Sequence, residues 1–274
     1  MNFDRQAFYK FTETYPANSY EAREPTHWLH TQKVRFGLTI EAFLRHRSQF
    51  GKPDLDILDL GAYPGSLVKS LRLFLKEKGL IDGAGLAGPV DFMQEMQDYQ
   101  VGFFGCNLDP MIAPYGPARD IAERVQREDA SYDVVFAMEI VEHTLDPFYL
   151  LRETCRLLRS GGLLILTTPN QATLSNRLRL LTGRSVYHPL RDSIMYEKND
   201  WRPHIREYTL LEMVQLVQDA GFQVLEKEFI DISDDDPRFW GWSHPLLRIA
   251  RTTARPLMRI PSMRQGQLLV ARRP

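Results

Sequence analysis

The amino-acid sequence predicts an α/β protein built on a doubly wound, mainly parallel β-sheet. Short apolar runs alternate along the chain with segments whose apolar residues recur at helical spacing. Runs such as Ile57–Leu60 and Leu163–Thr167 are bounded by turn-forming residues, as expected of strands buried on both faces. The 274-residue chain is 43% hydrophobic and 25% charged, which is typical of a globular protein with a sizeable core.

Bulk properties exclude several classes of function. The net charge of −1 argues against a nucleic-acid partner recognised by overall charge. The two cysteines, Cys106 and Cys155, lie in strand and helix patterns and are predicted to be free thiols in a reducing compartment. No basic region followed by an apolar one begins the sequence, and no apolar run approaches the ~18 residues of a membrane span. We therefore expect a cytoplasmic protein.

The segment Asp56–Leu71, DILDLGAYPGSLVKSL, has the pattern of a buried strand, a glycine turn and the start of a helix. Gly61 and Gly65 can adopt backbone conformations that other residues avoid, which lets a ligand approach the main chain. Ser66 is expected to cap a helix that begins near Leu67. Such a segment presents backbone N–H groups to a nucleotide-like ligand, although an ordinary α/β turn is the alternative.

The remaining segments extend the strand–helix alternation. Residues 1–50 form an aromatic-rich helical extension with an amphipathic helix at Thr31–Arg47, which covers either the ligand site or only the core. Further strands are predicted at Leu80–Leu86, Val101–Leu108, Tyr132–Ala137, Leu163–Thr167, Phe222–Phe229 and Gln267–Arg272, and helices at Asp91–Gln100, Asp146–Leu158 and Thr209–Ala220. Residues 51–230 form the core with an insertion at about 171–205, and residues 231–274 form a basic C-terminal segment with the last strand.

The glycine turn resembles motif I of class I S-adenosylmethionine (SAM) methyltransferases, in which an acid and two glycines surround the methionine end of the cofactor. Asp59 matches the acid, and Gly61 and Gly65 match the glycines, with Ala62 and Tyr63 in the intervening turn. The dinucleotide-binding order G-x-G-x-x-G is absent. The resemblance covers about residues 54–230 and the final strand. It implies SAM as the cofactor and a seven-stranded sheet whose last strand is antiparallel.

The resemblance leaves two assignments open for the acid that binds the SAM ribose. If Leu80–Leu86 is the second strand, the expected position holds Gly85, Asp82 comes three residues early, and Asp109 lies near the adenine. If residues 80–100 are an insertion, Asp109 binds the ribose. In both cases Asp109 follows a strand, at the edge where open α/β sheets bind ligands.

The stretch Met138–Pro147, MEIVEHTLDP, resembles the post-strand motif of small-molecule O-methyltransferases of this family. Glu139, Glu142 and His143 have the spacing of one face of a helical turn, and two carboxylates with an imidazole can hold a divalent cation. His204 lies in PHIREY, which resembles the histidine-bearing segment of ubiquinone-pathway O-methyltransferases and small-RNA terminal 2′-O-methyltransferases. In those families E-x-x-E-H and a later histidine form a metal site.

The resemblance therefore implies Glu139, Glu142, His143 and His204 as ligands of Mg²⁺, Mn²⁺ or Zn²⁺. A metal-free alternative remains, in which Glu139 only lines the SAM pocket and Glu142 pairs with His143. His143 is then the best general base, with His204 second, because the pKa of imidazole lies nearest neutrality.

Arginines and aromatic residues are interleaved in Gln171–Arg202, a composition that suits sugars, phosphates or flat rings and predicts an acceptor-binding role. A solvated basic face is the alternative. After His244, arginines alternate with apolar residues, so this segment either contacts anionic lipid or packs on the domain.

The resulting hypothesis is a SAM-dependent O-methyltransferase that acts on a hydroxyl of a small molecule or glycan. Two alternatives remain: an RNA 2′-O-methyltransferase, since DLGAYPG also resembles ribosomal-RNA methyltransferases, and a SAM-binding protein without catalysis. The Lys-Asp-Lys-Glu catalytic set of the RNA enzymes has no obvious match here. The sequence leaves the acceptor and the oligomeric state open.

Overall fold

The central feature of the structure, a computed structural model, is a seven-stranded sheet. Residues 3–23, 26–86, 88–111, 122–187, 204–232 and 255–274 are described. The sheet strands are β3 (Ile57–Leu60), β4 (Ile81–Gly85), β5 (Gly102–Gly105), β6 (Tyr132–Met138), β7 (Leu158–Pro169), β8 (Gln223–Ile230) and β9 (Gly266–Arg272). The short strands β1 (Ala22–Arg23) and β2 (Thr26–His27) form a separate antiparallel pair.

The strand order is β5-β4-β3-β6-β7-β9-β8. Ile57 of β3 pairs in parallel with Ile81 of β4 and with Val134 of β6, so the motif I strand occupies the middle of the parallel region. Strand β9 runs antiparallel to both β7 and β8. The prediction of a mainly parallel seven-stranded sheet with an antiparallel last strand is thus confirmed.

Helices cover both faces of the sheet. They are α1 (Arg5–Glu13), α2 (Trp28–Thr31), α3 (Lys33–His46), α4 (Ser66–Leu73), α5 (Val90–Asp98), α6 (Pro147–Leu157), α7 (Leu174–Leu181) and α8 (Leu210–Asp219). Helices α1, α3, α4 and α5 contribute to one hydrophobic core, and α6 and α8 contribute to the other. Because each strand buries side chains on both faces, the strands read as continuous apolar runs.

The predicted N-terminal extension packs directly on the sheet. The ring of Phe43 in α3 lies 5.7 Å from the ring of Phe136 in β6, and Phe8 of α1 is fully buried against the same core. Helix α3 agrees with the predicted helix Thr31–Arg47 to within two residues at its start. It carries Arg35 to the edge of the sheet where the parallel strands end.

Two strand boundaries differ from the prediction by at least three residues. Strand β5 ends at Gly105, and Cys106 continues only as an isolated bridge to Ala122. Strand β7 begins at Leu158, before the predicted start at Leu163, because the segment 159–162 continues the strand through a register shift against β6. Gly161 has φ +80°, and a Cβ at Gly162 would lie 3.0 Å from the carbonyl oxygen of Asp133. Gly162 therefore serves close strand packing, whereas Gly161 serves the left-handed backbone conformation.

Cys106 is buried and Cys155 half-buried, and both are free thiols as predicted. Residues 188–203 of the insertion and 233–254 of the C-terminal segment lie outside the described residues, as do Arg248 and Arg251, two of the seven arginines on which the predicted lipid contact rests. Within the described ranges, none of the helices combines the length and apolar character needed to cross a bilayer.

Thr209 and Glu212 form the predicted capping box at the start of α8. Replacing Thr209 with alanine should lower the free energy of unfolding by about 1 kcal/mol, because the Glu212 N–H loses its acceptor on a helix that packs on β8 and β9. Thr173→Ala removes the corresponding cap of α7. Because α7 buries none of its residues, this substitution should lower the free energy of unfolding by clearly less. Urea unfolding of both variants measures the difference, and equal losses would contradict it.

Candidate active site

The glycine turn joins β3 to α4 and is fixed to the neighbouring strand. The N–H groups of Gly61 and Ala62 both donate to the carbonyl oxygen of Ala84, at 2.7 and 3.2 Å. Gly61 has φ +78° and Gly65 has φ +99°, as the sequence predicted for backbone that a ligand approaches. Gly65, one residue earlier than predicted, takes the cap position of α4, and none of the described side chains caps the helix.

Asp59 is the motif I acid, and its carboxyl group is 4% exposed. It forms no hydrogen bond or ion pair with the described part of the chain, and burial raises its pKa to about 8. A buried carboxyl group without a partner suits a cationic ligand group such as the ammonium group of SAM. The site therefore fits SAM at the position that the resemblance implies.

Glu139 does not share a helical face with Glu142 and His143, so that premise of the metal prediction was wrong. Glu139 follows β6 in a left-handed conformation with φ +52°, and Val141–His143 is a single 3₁₀ turn. The carboxylate of Glu139 instead lies 3.2 Å from Nη1 of Arg35. Sequence reasoning missed Arg35, although a cation among the apolar residues of helix α3 was a signal for it.

The remaining predicted metal ligands do come together. Ligand atoms of Glu142, His143 and His204 all lie within 4.8 Å of one another. Oε1 of the fully buried Glu142 is 4.0 Å from Nε2 of each histidine and has no hydrogen-bond partner among the described residues. The hydroxyl of Thr168 donates to the other carboxylate oxygen at 2.9 Å and fixes its orientation.

Main-chain hydrogen bonds bring His204 to this cluster from about 60 residues away along the chain. The N–H groups of Ile205 and Arg206 donate to the carbonyl oxygen of Glu142, at 2.8 and 3.2 Å. The rings of His143 and His204 then meet edge to face, with centroids 4.8 Å apart. Nδ1 of His204 lies 2.9 Å from the carboxylate of Glu207, which favours a tautomer with Nε2 as the ligand atom.

The composition and burial of the cluster favour binding of a cation. Burial and the nearby charge of Glu139 raise the pKa of Glu142 well above its usual range. A cation bound to one carboxylate and two imidazoles would neutralise that charge. The three ligand atoms already lie within 4.8 Å of one another, so small side-chain movements would let them hold one cation.

The structure excludes one of the two assignments for the ribose acid. Strand β4 pairs with β3 along its length, so residues 80–100 are not an insertion. Asp82 lies in the middle of β4, where its carboxylate accepts hydrogen bonds from Tyr132 and Arg127 at 2.6 and 2.9 Å. Gly85 ends the strand, so no acid occupies the expected ribose position among the residues described there.

Asp109 lies beyond β5 and is 1% exposed. One carboxylate oxygen accepts the N–H of Leu145 at 2.6 Å, and the other has no partner among the described residues. Because β4 is the second strand of the resembling fold, the resemblance implies that Asp109 lies near the adenine of SAM. This role of Asp109 stays a prediction.

A pocket beside His204 is lined by Gln171, Val186, Tyr187 and Glu207. These residues include the described start of the insertion at 171–187. Tyr187 is 62% exposed, so its ring is available at the pocket mouth. Sequence reasoning had placed the acceptor in this insertion but had not singled out Glu207.

Curated relatives match only part of the chain. A ubiquinone biosynthesis O-methyltransferase of Ruegeria pomeroyi is 32% identical over 44% of this chain and 45% of its own length. A probable S-adenosylmethionine-dependent methyltransferase of Mycobacterium tuberculosis is 37% identical over 34% of this chain and 28% of its own length. The chain thus matches less than half the length of either relative.

Solved structures share the fold at low identity. A 1,6-didemethyltoxoflavin N1-methyltransferase of Burkholderia thailandensis, with bound S-adenosylhomocysteine, has a TM-score of 0.51 at 14% identity and covers 86% of this chain and 77% of its own. A SAM-dependent methyltransferase of Mesorhizobium loti has a TM-score of 0.51 at 15% identity, over 80% and 91%. These similarities concern the fold alone.

Gly61→Ala should weaken S-adenosylhomocysteine binding at least about tenfold. The new Cβ would lie 2.9 Å from Cδ1 of Ile140, so the turn must shift. The left-handed backbone at position 61 would cost the alanine about 1–2 kcal/mol in addition. Gly161→Ala is the matched control, because φ is +80° and no atom lies within 4 Å of its Cβ. Calorimetry on both folded variants should find normal affinity only in the control, and unchanged affinity in Gly61→Ala would show that motif I is misassigned.

Asp59 should couple SAM binding to pH. Its raised pKa means that the folded apoprotein favours the neutral acid, so this group's contribution to stability is lost as pH rises from about 4 to 8. Asp59→Asn should therefore stabilise the apoprotein at pH 8, on the order of 1–4 kcal/mol, while weakening S-adenosylhomocysteine. Wild-type affinity should increase up to about pH 8, and the variant should lack this increase. A variant with the wild-type pH profile would contradict the assignment.

The family follows from the match to a family model. A model described as a methyltransferase domain matches residues 28–227, which is well over half of the chain. The matched range includes the glycine turn, the Glu142 cluster and the segment that carries His204. Together with the seven-stranded sheet, this shows that the chain belongs to the methyltransferase-domain family.

Proposed function

We propose that this methyltransferase transfers the methyl group of SAM to a hydroxyl oxygen of a small molecule or glycan. The observation that carries the proposal is the cluster of buried Glu142 with His143 and His204 at the edge of the sheet where β3, β6 and β7 end. A cluster of this composition can hold and deprotonate an oxygen acceptor. The name of the Ruegeria relative, a ubiquinone biosynthesis O-methyltransferase, supports the same acceptor atom.

The chemistry explains why such a cluster suits a hydroxyl acceptor. The sulfonium of SAM makes its methyl group electrophilic, so transfer is a direct displacement that needs sulfur, methyl and acceptor in line. A neutral amine already carries a nucleophilic lone pair, whereas a hydroxyl becomes strongly nucleophilic only when its proton is removed. His143 and His204 have the side-chain chemistry for this step near neutral pH.

Residues around the cluster would orient the acceptor and the base. Thr168 holds Glu142, and Glu207 holds Nδ1 of His204, so that Nε2 of His204 faces Glu142. The side chains of His143 and His204 keep 23% and 22% of their surface exposed, so an acceptor can reach both from solvent. Gln171 and Tyr187, which line the adjoining pocket, offer an amide and an aromatic ring to a sugar or a flat molecule.

Glu142, His143 and His204 would also be the residues that hold a divalent cation, with Mg²⁺, Mn²⁺ and Zn²⁺ all compatible with one carboxylate and two imidazoles. Such a cation would lower the pKa of the acceptor hydroxyl. Glu139 would stay outside this ligand set while it pairs with Arg35. The metal-free account assigns proton removal to His143 alone.

Chelation separates the two accounts. In the metal account, EDTA should stop the formation of S-adenosylhomocysteine with a panel of phenols, catechols and sugars, and added Mg²⁺, Mn²⁺ or Zn²⁺ should restore it. His204→Ala should lower bound metal, measured by mass spectrometry, without weakening SAM binding. His46→Ala is the matched control, because its ring pairs with Glu226, a residue of β8, and makes no contact with the cluster.

The outcomes distinguish the hypotheses. Full turnover in a metal-free, chelator-treated sample would end the metal account and leave His143 as the base. Turnover on amines but on no hydroxyl compound would contradict O-methylation itself.

A further inference from the structure

The segment 15–21, between α1 and β1, contacts the glycine turn and the start of α4 through Asn18, Tyr20 and Glu21. The hydroxyl of Ser66 donates to Oε1 of Glu21 at 2.5 Å. Nδ2 of Asn18 donates to the carbonyl oxygen of Pro64 at 3.3 Å. The ring of Tyr20 lies 5.7 Å from the ring of Tyr63. The N-terminal extension therefore contacts both the turn and the first residue of α4.

Buried ion pairs stabilise the contact between the segment 15–21 and helix α4. Lys69 of α4 and Glu21 are both fully buried, and their Nζ and Oε2 atoms are 3.0 Å apart. Lys69 also pairs with Glu95 of α5 at 2.6 Å and donates to the carbonyl oxygen of Pro16 at 2.8 Å. The hydroxyl of Tyr15 donates to Glu21 at 2.7 Å. One lysine thus joins the N-terminal segment, the helix after the turn and helix α5.

Such a network is poorly explained by stability alone. A buried ion pair loses so much hydration that apolar residues of similar size often serve stability as well or better. Its advantage is geometric, because a fully paired buried charge allows only one arrangement of the groups around it. Here the fixed arrangement is the position of the turn and of the N-terminus of α4.

The network also leaves the N-terminus of α4 open. Gly65, at the cap position, has no side chain, and the hydroxyl of Ser66 is directed to Glu21. Among the described residues, no side chain therefore accepts a hydrogen bond from the first N–H groups of the helix. These groups and the helix dipole favour an anionic ligand group, such as the carboxylate of SAM.

We propose that Glu21 and Lys69 are positioning residues for the cofactor. They hold the segment 15–21 against the turn and α4, so that the turn and the open helix end have their ligand-binding shape before SAM arrives. This saves ordering entropy on binding. The inference rests on SAM binding alone and does not depend on which acceptor is methylated.

Ser66→Ala tests the link between the network and the turn. S-adenosylhomocysteine has the carboxylate that α4 would attract, whereas adenosine lacks it. Ser66→Ala should weaken S-adenosylhomocysteine about five- to tenfold and change adenosine affinity less than about twofold. Ser70→Ala is the matched control, since this buried serine on the same helix donates only within the helix, to the carbonyl oxygen of Ser66 at 2.7 Å. The control should leave the ratio of the two affinities unchanged.

A second variant removes the charges together. In a Glu21→Met/Lys69→Met background, Ser66→Ala should cause no further loss of affinity, because Ser66 acts through Glu21. Hydrogen exchange of the amides at 66–68 should be faster in Ser66→Ala than in Ser70→Ala. Wild-type affinity in Ser66→Ala, or equal losses for both ligands or for both serine variants, would overturn the proposal even if the double variant does not fold.

Discussion

Parallel pairing of β3 with β4 and β6, and of β6 with β7, is the constraint on which the site depends. Parallel strands end at the same edge, so the residues that follow each strand converge there although the sequence separates them widely. Asp59 near the end of β3, Glu139 after β6 and Thr168 near the end of β7 all reach this edge. The antiparallel β9 pairs with the other edge of β7, and helices cover both faces of the sheet.

Hydrogen bonds from loops to the main chain complete what the strands begin. The carbonyl oxygen of Glu142 holds the N–H groups of Ile205 and Arg206, while its side chain takes the hydroxyl of Thr168. One residue of a short 3₁₀ turn therefore connects the end of β7 with the segment after the insertion. His204 lies in the cluster because its neighbours are bound through their backbone.

The sequence predicted the sheet well because strands buried on both faces are continuous apolar runs, and Thr209 with Glu212 has a local capping signature. It failed where tertiary contacts override a local pattern. The spacing of Glu139, Glu142 and His143 suggests a helical face, but Glu139 takes a left-handed conformation and pairs with Arg35. The partners of Glu21 and Lys69 lie far apart in sequence and leave no periodic signal, so neither residue could be singled out. His204 was found only through a resemblance.

The site contains two buried acids, Asp59 and Glu142, whose ionised forms lower the stability of the apoprotein. Burial raises the pKa of Asp59 to about 8 and, together with Glu139, raises that of Glu142 well above its usual range. Each acid therefore weakens the apoprotein as pH rises towards its pKa, and a bound cation reverses that effect. At Asp59 the proposed cation is the ammonium group of SAM, and the same desolvation that destabilises the apoprotein would strengthen the attraction in the complex. Lys69 differs, because Glu21 and Glu95 already neutralise it in the apoprotein. The molecule thus satisfies the charges that shape the site in advance and leaves those that bind ligands unsatisfied.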